Sequence, residues 1–249
     1  SFTNQRLISP EPTEWVGLRN YKRLLSLNIL TLEPEIDPET GKPARDENGD
    51  LVYPRSREFT RDEENYPQYA GLTEWFSIDR GSKRHVILVG DRKFMRGLVN
   101  NVKFALAVIP AQMILGLLLA LLVNQKLKGR TLFRTIYFTP VVTSMVVVSY
   151  VWTFLYDYNN GLINSFLGSF GLQAVNWLGN PETALPAIII MSVWQGVGMQ
   201  MILFLAGLQG IPGSLYEAAE IDGANGWQKF WNVTWPGLRN TTIFITVTI

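Results

Sequence analysis

The chain has 249 residues, a formal net charge of +1 and no cysteine. Without cysteine it can form no disulfide framework, no thiolate metal site and no cysteine nucleophile, and its near-neutral charge argues against nucleic-acid binding. The charge is unevenly distributed, because residues 1–97 hold 31 of the 43 charged side chains and residues 98–249 hold 12. The first part is therefore expected to be solvated and the second to avoid water.

The charge-rich first part contains two features that indicate local structure. An Asn48-Gly49 pair before residues 51–53 is typical of a turn that leads into a strand, and a disordered linker is the alternative. Two short pieces between residues 78 and 89 are expected to pair as strands. The only histidine, His85, is expected to be an ordinary surface residue.

The second part contains three uncharged runs that are long enough to cross a membrane, at residues 104–123, 135–156 and 184–208. At about 1.5 Å per residue, each can span a hydrocarbon core of about 30 Å. The alternative is a set of buried helices in a large soluble protein, which the repetition of such runs disfavours. The uncharged stretch 240–249 is expected to begin a fourth span, which would make the chain a fragment.

Small residues and prolines within these runs bear on how the helices pack. Pro110 and Pro140 are tolerated because neighbouring helices can satisfy the freed carbonyl groups. Gly116 and Ala120 form a small-xxx-small pair, which permits close contact between helices.

Loop charges predict the side of the membrane on which each loop lies. The loop after the first run carries four bases and no acid: Lys126, Lys128, Arg130 and Arg134. The loop at residues 157–183 carries two acids and no base. The positive-inside rule therefore places residues 124–134 in the cytoplasm and residues 157–183 outside. By alternation, residues 209–239 are cytoplasmic and residues 1–97 are extracytoplasmic.

A short polar helix is predicted in this last cytoplasmic loop, over residues 215–222. Ser214 and Glu217 fit a capping box at its start, and Gly223 stands where a left-handed residue would end it. Because so short a helix is marginal in water, a partner surface or the rest of the protein should hold it. Its three acids would form a face that suits a basic groove: Glu217, Glu220 and Asp222.

A second amphipathic stretch follows at residues 227–235, with its large side chains at helical spacing. Pro236 then fits the first turn of the next helix, where its missing N–H costs nothing. The alternative for the whole loop is an ordinary interfacial connector. The acidity of the first helix counts against it, because interfacial helices on the anionic cytoplasmic leaflet are usually basic.

These residues carry the motif of a known family. Glu-Ala-Ala, three residues, Gly, nine residues and Ile-x-Leu-Pro is the signature loop of type I ABC importer permeases. This chain resembles it with Glu217-Ala218-Ala219, Gly223 and Val233-Thr234-Trp235-Pro236 at the same spacing. Val233 and Trp235 replace the Ile and Leu of the motif and remain apolar.

Other segments resemble the carbohydrate-uptake branch of that family, with its maltose and glycerol-3-phosphate type permeases. These segments are residues 16–21, 128–140, 161–164, 176–179 and 206–212. The resemblance covers about 17–26 and 91–249. Residues 27–90 have no counterpart and are expected to be a largely irregular insertion.

The resemblance implies an all-α membrane protein, a polytopic helical bundle in a bacterial or archaeal inner membrane. Residues 98–249 would be the truncated permease domain, with a cytoplasmic coupling loop at 210–238. The implied partners are a cytoplasmic ABC ATPase dimer, a second permease subunit and an extracytoplasmic solute-binding protein. The chain has no Gly-x-x-x-x-Gly-Lys-Ser/Thr motif, so ATP would be hydrolysed by the ATPase, and this chain is expected to be no enzyme and to hold no cofactor or metal.

The resemblance assigns one group of residues to coupling, and the polar residues of the spans provide a second group of candidates for transport. Those that would couple the motion of the ATPase to alternating access are Glu217, Ala218, Ala219, Asp222, Gly223 and Pro236. Polar residues inside spans are costly and often functional, and the candidates for the solute path are Trp194, Gln195 and Gln200, with Thr143, Ser144 and Gln112 as weaker ones. Hydrogen bonding between helices is the alternative role for the polar candidates.

The solute predicted from the resemblance is a sugar or a sugar-like compound. A second hypothesis keeps the same machine and changes the solute to a polyamine or an amino acid. A third, from another class, is a membrane-anchored receptor whose outer insertion binds a ligand and whose loop signals. An ABC ATPase bound through the coupling loop would distinguish the importer from the receptor.

Overall fold

The computed structural model describes residues 2–3, 14–125 and 130–249, without the side chains of residues 130–134. It divides into two compact units, Ser1–Asn100 and Asn101–Ile249, close to the change in charge density at residue 97. The four bases behind the predicted orientation lie outside the described residues or have no described side chain. Their role therefore stays a prediction.

The first unit is built around a three-stranded antiparallel sheet with the order β1–β3–β2. Its elements are α1 (Arg19–Leu25), β1 (Leu27–Leu32), α2 (Ser56–Arg61), β2 (Thr73–Arg80) and β3 (Lys83–Val89). The two pieces predicted between residues 78 and 89 do pair, with Ile78 opposite His85. His85 is half-buried, and its Nδ1 lies 3.1 Å from the hydroxyl of Thr31 on β1.

One face of this sheet forms the core of the first unit. Four alternating apolar side chains are buried there, Leu30, Leu32, Val86 and Leu88, and pack against Tyr53, Phe59, Tyr69 and Leu72. Burial of this face provides the hydrophobic stabilisation that an irregular segment would lack. The insertion therefore contains an ordered sheet, so all-α describes the chain only approximately, and no finding confirms that the insertion is largely irregular.

The predicted Asn48-Gly49 turn is present, but the strand after it is a single bridge. Gly49 has φ +87°, which a side chain would oppose. Arg45 pairs with Leu51 in an isolated antiparallel bridge, so the turn closes a small loop rather than a hairpin of the sheet.

The second unit is helical in the part of the chain that the structure describes. Its helices are α3 (Arg92–Asn124, which begins in the first unit), α4 (Arg130–Val142), α5 (Met145–Leu155), α6 (Leu162–Ser169), α7 (Pro181–Gln209), α8 (Gly213–Ile221), α9 (Gly226–Lys229), the π-helical segment π1 (Phe230–Thr234), α10 (Trp235–Gly237) and α11 (Arg239–Thr248). Two of them, α3 and α7, are long and apolar enough to cross a membrane. They contain the first and third predicted spans, and Pro110 lies inside α3 without ending it.

The second predicted span, residues 135–156, is not one helix. It is divided into α4 and α5, which are bent by 109°. The break follows a Val-Val-Thr-Ser sequence of weak helix formers, and Ser144 adopts an extended ψ of 135° before α5 begins. The expectation of a single continuous span is therefore corrected to a broken one.

Helices α3 and α7 run parallel to each other. Gly116 faces Gln200, and Leu117, Ala120 and Val123 share a core cluster with the C-terminal half of α7. Parallel helices require the intervening chain to return to the starting side. The bent pair makes this return, because α4 packs near the C-terminal end of α7 and the Tyr156 hydroxyl after α5 donates to Ala187 O near its start.

A buried asparagine organises the loop between α5 and α7. The Asn164 Oδ1 accepts from Trp177 Nε1 at 3.0 Å and from Val175 N at 3.1 Å, and its Nδ2 donates to Val175 O at 3.0 Å. Two separate segments of the family resemblance, 161–164 and 176–179, are thus joined by one side chain.

Candidate functional site

The predicted coupling helix is present as α8, but it begins differently. It runs over Gly213–Ile221, and Pro212 occupies the N-cap position with no side-chain capping bond. Ser214 therefore lies inside the first turn, and the predicted capping box with Glu217 is wrong. The φ of Pro212, −57°, lies in the range that the proline ring fixes, so the ring replaces the side-chain cap in setting where the helix starts.

The end of α8 agrees with the prediction. Gly223 has φ +74°, its N–H donates to Glu220 O at 3.0 Å, and the Ala224 N–H donates to Ala219 O at 2.9 Å. These two bonds form a Schellman motif, which satisfies carbonyl groups that a helix end otherwise leaves open. A side chain at Gly223 would oppose this left-handed conformation.

The second half of the loop is one helical segment with a wider turn inside it. Asn225 and Gln228 form a capping box at the start of α9, eleven residues after the serine where one was predicted. Pro236 lies in the first turn of α10, as predicted. Because proline has no N–H to donate within an α-helix, the widened π1 turn just before it accommodates the lost hydrogen bond.

Two side-chain contacts join α8 to this second segment. The hydroxyls of Tyr216 and Thr234 lie 2.9 Å apart, and Lys229 Nζ lies 2.8 Å from Glu220 Oε1. The hydrogen bond and the charge of Lys229 hold the pKa of Glu220 below its usual 4.5. The predicted acidic face is therefore smaller than expected, because Glu220 is neutralised within the loop.

The remaining coupling candidates are mostly exposed. Glu217, Ala218, Asp222, Gly223 and Pro236 are exposed, and Ala219 is half-buried. Neither Glu217 nor Asp222 belongs to an ion pair among the described residues. The loop thus presents uncompensated negative charge next to small side chains, which leaves room for a partner to approach the backbone.

The buried amides of the spans are engaged with each other. Gln200 Nε2 donates to Gln112 Oε1 at 3.3 Å, and Gln112 Nε2 donates to Ser192 O at 2.8 Å. Gln200 is 7% exposed, and its Oε1 has no hydrogen-bond partner in the described structure. Gln112 and Gln200 thus form the hydrogen bond between helices that is the alternative to a role in the solute path. Their role in the solute path stays a prediction.

The other solute-path candidates are scattered along the bundle. Trp194 is partly exposed and meets Trp152 edge-on at 5.6 Å between ring centroids, while Gln195 is half-buried. Thr143, just after the end of α4, donates to Thr139 O, and the exposed Ser144 lies at the break before α5. The structure does not bring these six residues into one site.

A cavity of about 510 Å³ lies between α4 and α7, and none of these candidates is among its lining residues. Its lining is mainly apolar and consists of Thr135, Phe138, Thr139, Val142, Ile202, Leu205, Ala206 and Gln209. The sequence signal for its α4 wall was the helical spacing of 135, 138, 139 and 142. Its α7 wall has the same spacing, at 202, 205, 206 and 209, but the apolar residues of α7 are not confined to one face, so the spacing does not distinguish this wall from the others.

Two parallel apolar helices, a broken span between them and a polar loop held by side-chain contacts are the features of a polytopic membrane protein. The model of the family described as binding-protein-dependent transport system inner membrane component matches residues 112–248, which is more than half of the chain. The chain belongs to this family.

Relatives and solved structures agree with that membership. The probable ABC transporter permease protein YurN of Bacillus subtilis is 37% identical over 72% of this chain and 64% of its own length. The trehalose/maltose transport system permease protein MalF of Thermococcus litoralis is 36% identical over 69% of this chain and 62% of its own length. The chain thus spans slightly less than two thirds of these relatives.

A similar solved structure is that of a bacterial alginate ABC transporter in complex with an alginate pentasaccharide-bound periplasmic protein. The match has a TM-score of 0.59 and 28% identity, and it covers 64% of this chain and 56% of that chain. The helical arrangement described above is therefore that of an ABC importer permease.

Proposed function

We propose that this chain is the membrane-spanning subunit of an ATP-driven importer for a sugar or sugar-like solute. The observation that carries the proposal is the exposed α8, which follows a membrane-spanning helix and ends in the left-handed Gly223. Its uncompensated Glu217 would pair with a basic residue in a cleft of a separate ATPase subunit. The ATPase subunits would hydrolyse ATP, and a second permease subunit would complete the membrane part of the importer.

The packing of α3 and α7 supports a cytoplasmic position for α8. Because these helices are parallel, the loops at their C-terminal ends lie on the same side of the bundle. The loop after α3 and the start of α4 carry the four bases that the positive-inside rule places in the cytoplasm. The coupling loop after α7 would then face the cytoplasm, and the first unit would be extracytoplasmic.

The helix α8 is suited to transmit motion as a rigid body. It is tied to the segment α9–π1–α10, which continues into α11. Helix α11 packs closely on α7, because a Cβ added to Gly207 of α7 would lie only 2.6 Å from Thr241 Oγ1 of α11. A displacement of α8 by the ATPase would therefore move α7 and α11 together, and rigid-body shifts of packed helices are a known basis of switching.

The names of the relatives support a sugar as the solute. The Thermococcus litoralis relative is named for trehalose and maltose, and the solved alginate transporter is in complex with a periplasmic protein that holds an alginate pentasaccharide. A solute-binding protein outside the membrane would deliver the solute to this chain in the same way.

Substitutions in α8 test the docking model. We expect Glu217→Lys and Gly223→Asp to abolish uptake and ATPase copurification while the protein still inserts, because the first reverses the pairing charge and the second strains the left-handed turn. Gly213→Asp is the matched control, since Gly213 has open space around it and an acid at a helix N-terminus is favourable. Normal uptake by either loss variant would refute docking through α8, and absence of any ABC ATPase from the wild-type complex would favour a receptor.

A further inference from the structure

Three tryptophans form an exposed stripe on the segment that follows α8. Trp227, Trp231 and Trp235 recur every four residues and are 70%, 47% and 38% exposed. Their rings contact one another, with centroids 5.7 Å apart for the first pair and 6.1 Å for the second. This tryptophan stripe is too large and too continuous to be explained as scattered surface residues.

The stripe lies close to the C-terminal end of α7. Just after it, Leu238 is fully buried in the core that α3 and α7 form, and a Cβ added to Gly207 would lie 2.9 Å from its side chain. Gly237 is equally close to Ile211, two residues after the end of α7. Where a membrane-spanning helix ends, the hydrocarbon core gives way to the headgroup layer.

The chemistry of the stripe matches that layer. Tryptophan is enriched at the membrane–water boundary, where its ring meets apolar chains and its N–H meets water. Residues 224–239 carry Lys229 and Arg239 and no acid, whereas residues 213–223 carry three acids and no base. Because Lys229 is paired with Glu220, the remaining charges are Arg239 on the second segment and two acids in residues 213–223. An anionic leaflet would attract the second segment and repel α8.

We propose that the tryptophan stripe lies in the headgroup layer of the membrane and anchors the coupling loop to lipid. The headgroup layer is roughly 5–8 Å thick on each side, and the segment between Trp227 and Trp235 is about 12 Å long if helical. The segment is therefore inclined towards the membrane plane. When a partner moves α8, the force passes through the Tyr216–Thr234 and Lys229–Glu220 contacts to the tryptophan segment, which the lipid holds in place.

Depth-dependent quenching tests the proposal directly. The sequence has no cysteine, so Trp227→Cys, Trp231→Cys and Leu215→Cys each add one site for a fluorescent label. The variants are reconstituted in a complete transporter whose other cysteines have been replaced, in vesicles that contain brominated phospholipid. We expect shallowly brominated lipid to quench the labels at 227 and 231 several-fold more than the label at 215.

Quenching at 227 and 231 no stronger than at 215 would overturn the proposal. If those two labels instead responded to removal of the ATPase, the stripe would be a protein interface. Native tryptophan emission, compared between wild type and Trp231→Phe under the same lipid quenchers, gives a second measurement on a less disturbed chain. This proposal takes from the proposed function only that α8 and the stripe lie on the cytoplasmic side of the membrane. Absence of uptake by the wild-type transporter, with strong lipid quenching at 227 and 231, would contradict the importer and leave the anchor intact. Normal uptake with weak lipid quenching at these positions would contradict the anchor and leave the importer intact.

Discussion

At the level of single residues, the contact between α3 and α7 is built from two glutamine–glycine pairs. The Gln112 side chain lies against Gly196, and the backbone of Gln200 lies against Gly116. In each helix the glutamine and the glycine are four residues apart and so lie on one face. Each glycine opens the space that the amide or backbone of the other helix occupies.

Gly116→Ala should destabilise the protein for this reason. The added Cβ would lie 2.7 Å from Gln200 Cβ and 3.2 Å from its carbonyl carbon, so the backbone must shift, at a cost of about 1–3 kcal/mol. Thermal or denaturant unfolding in detergent measures the loss. Gly97→Ala, in the same helix but with open space around it, is the control and should be neutral or stabilising, and equal stability of the two variants would contradict the close contact.

The sequence revealed only half of this contact. Gly116 and Ala120 were recognisable because small-xxx-small spacing is local, and Ala120 is indeed fully buried. The partner Gln200 lies 84 residues beyond Gly116, and which rows of two helices face each other depends on their rotation and register. The failed Ser214 cap has a different cause, because Pro212 supplied a helix start two residues earlier than the serine pattern indicated.

At the level of elements, the coupling loop is two helical pieces held by one ion pair and one hydrogen bond. The pKa of Glu220 is lowered by Lys229, so the pair contributes to the folded loop above pH 4.5. Its contribution is lost as the pH falls through the lowered pKa. A helix of nine residues has little stability of its own, and its order should follow the state of this pair.

Lys229→Gln should therefore loosen α8. A spin label at Ile221→Cys, which is 87% exposed in the wild type, should become more mobile at pH 7. Acidification below pH 4.5 should bring the parent protein towards the mobility of the variant, and the double exchange Glu220→Lys with Lys229→Glu should restore order. Lys42→Gln, an exposed lysine of the first unit, should leave the label unchanged. Unaltered mobility in Lys229→Gln at pH 7 would show that the ion pair does not hold the helix.

Other elements show where local sequence patterns stop being sufficient. The β2–β3 hairpin was predictable because its strands are joined by a short turn, whereas β1 pairs with β3 across about fifty residues and its stretch Leu-Asn-Ile-Leu-Thr-Leu has apolar residues on both faces. The break at Ser144 was missed because an apolar run shows only that a segment is long enough to cross a membrane. It does not show whether the helix changes direction within that segment.

At the level of the whole molecule, the parallel arrangement of α3 and α7 fixes which loops share a side. Three crossings, with α4 and α5 as a broken second one, leave the loops after α3 and α7 together and the loop around Asn164 opposite. Packing alone does not show which of the two sides is the cytoplasm. That assignment depends on the basic residues between positions 126 and 134.

Cysteine labelling in intact cells tests both the arrangement and its direction. Single cysteines at Gln125, Ser214, Asn159 and Glu39, all exposed, can be placed in the naturally cysteine-free chain. A membrane-impermeant maleimide should label positions 39 and 159 from outside, and positions 125 and 214 only after the membrane is permeabilised, because the positive-inside rule holds the basic loop in the cytoplasm. Reversal of all four positions would invert the orientation and remove α8 from any cytoplasmic ATPase. Labelling of 125 and 214 from opposite sides would instead contradict the parallel packing of α3 and α7, because two parallel spans must end on the same side of the membrane.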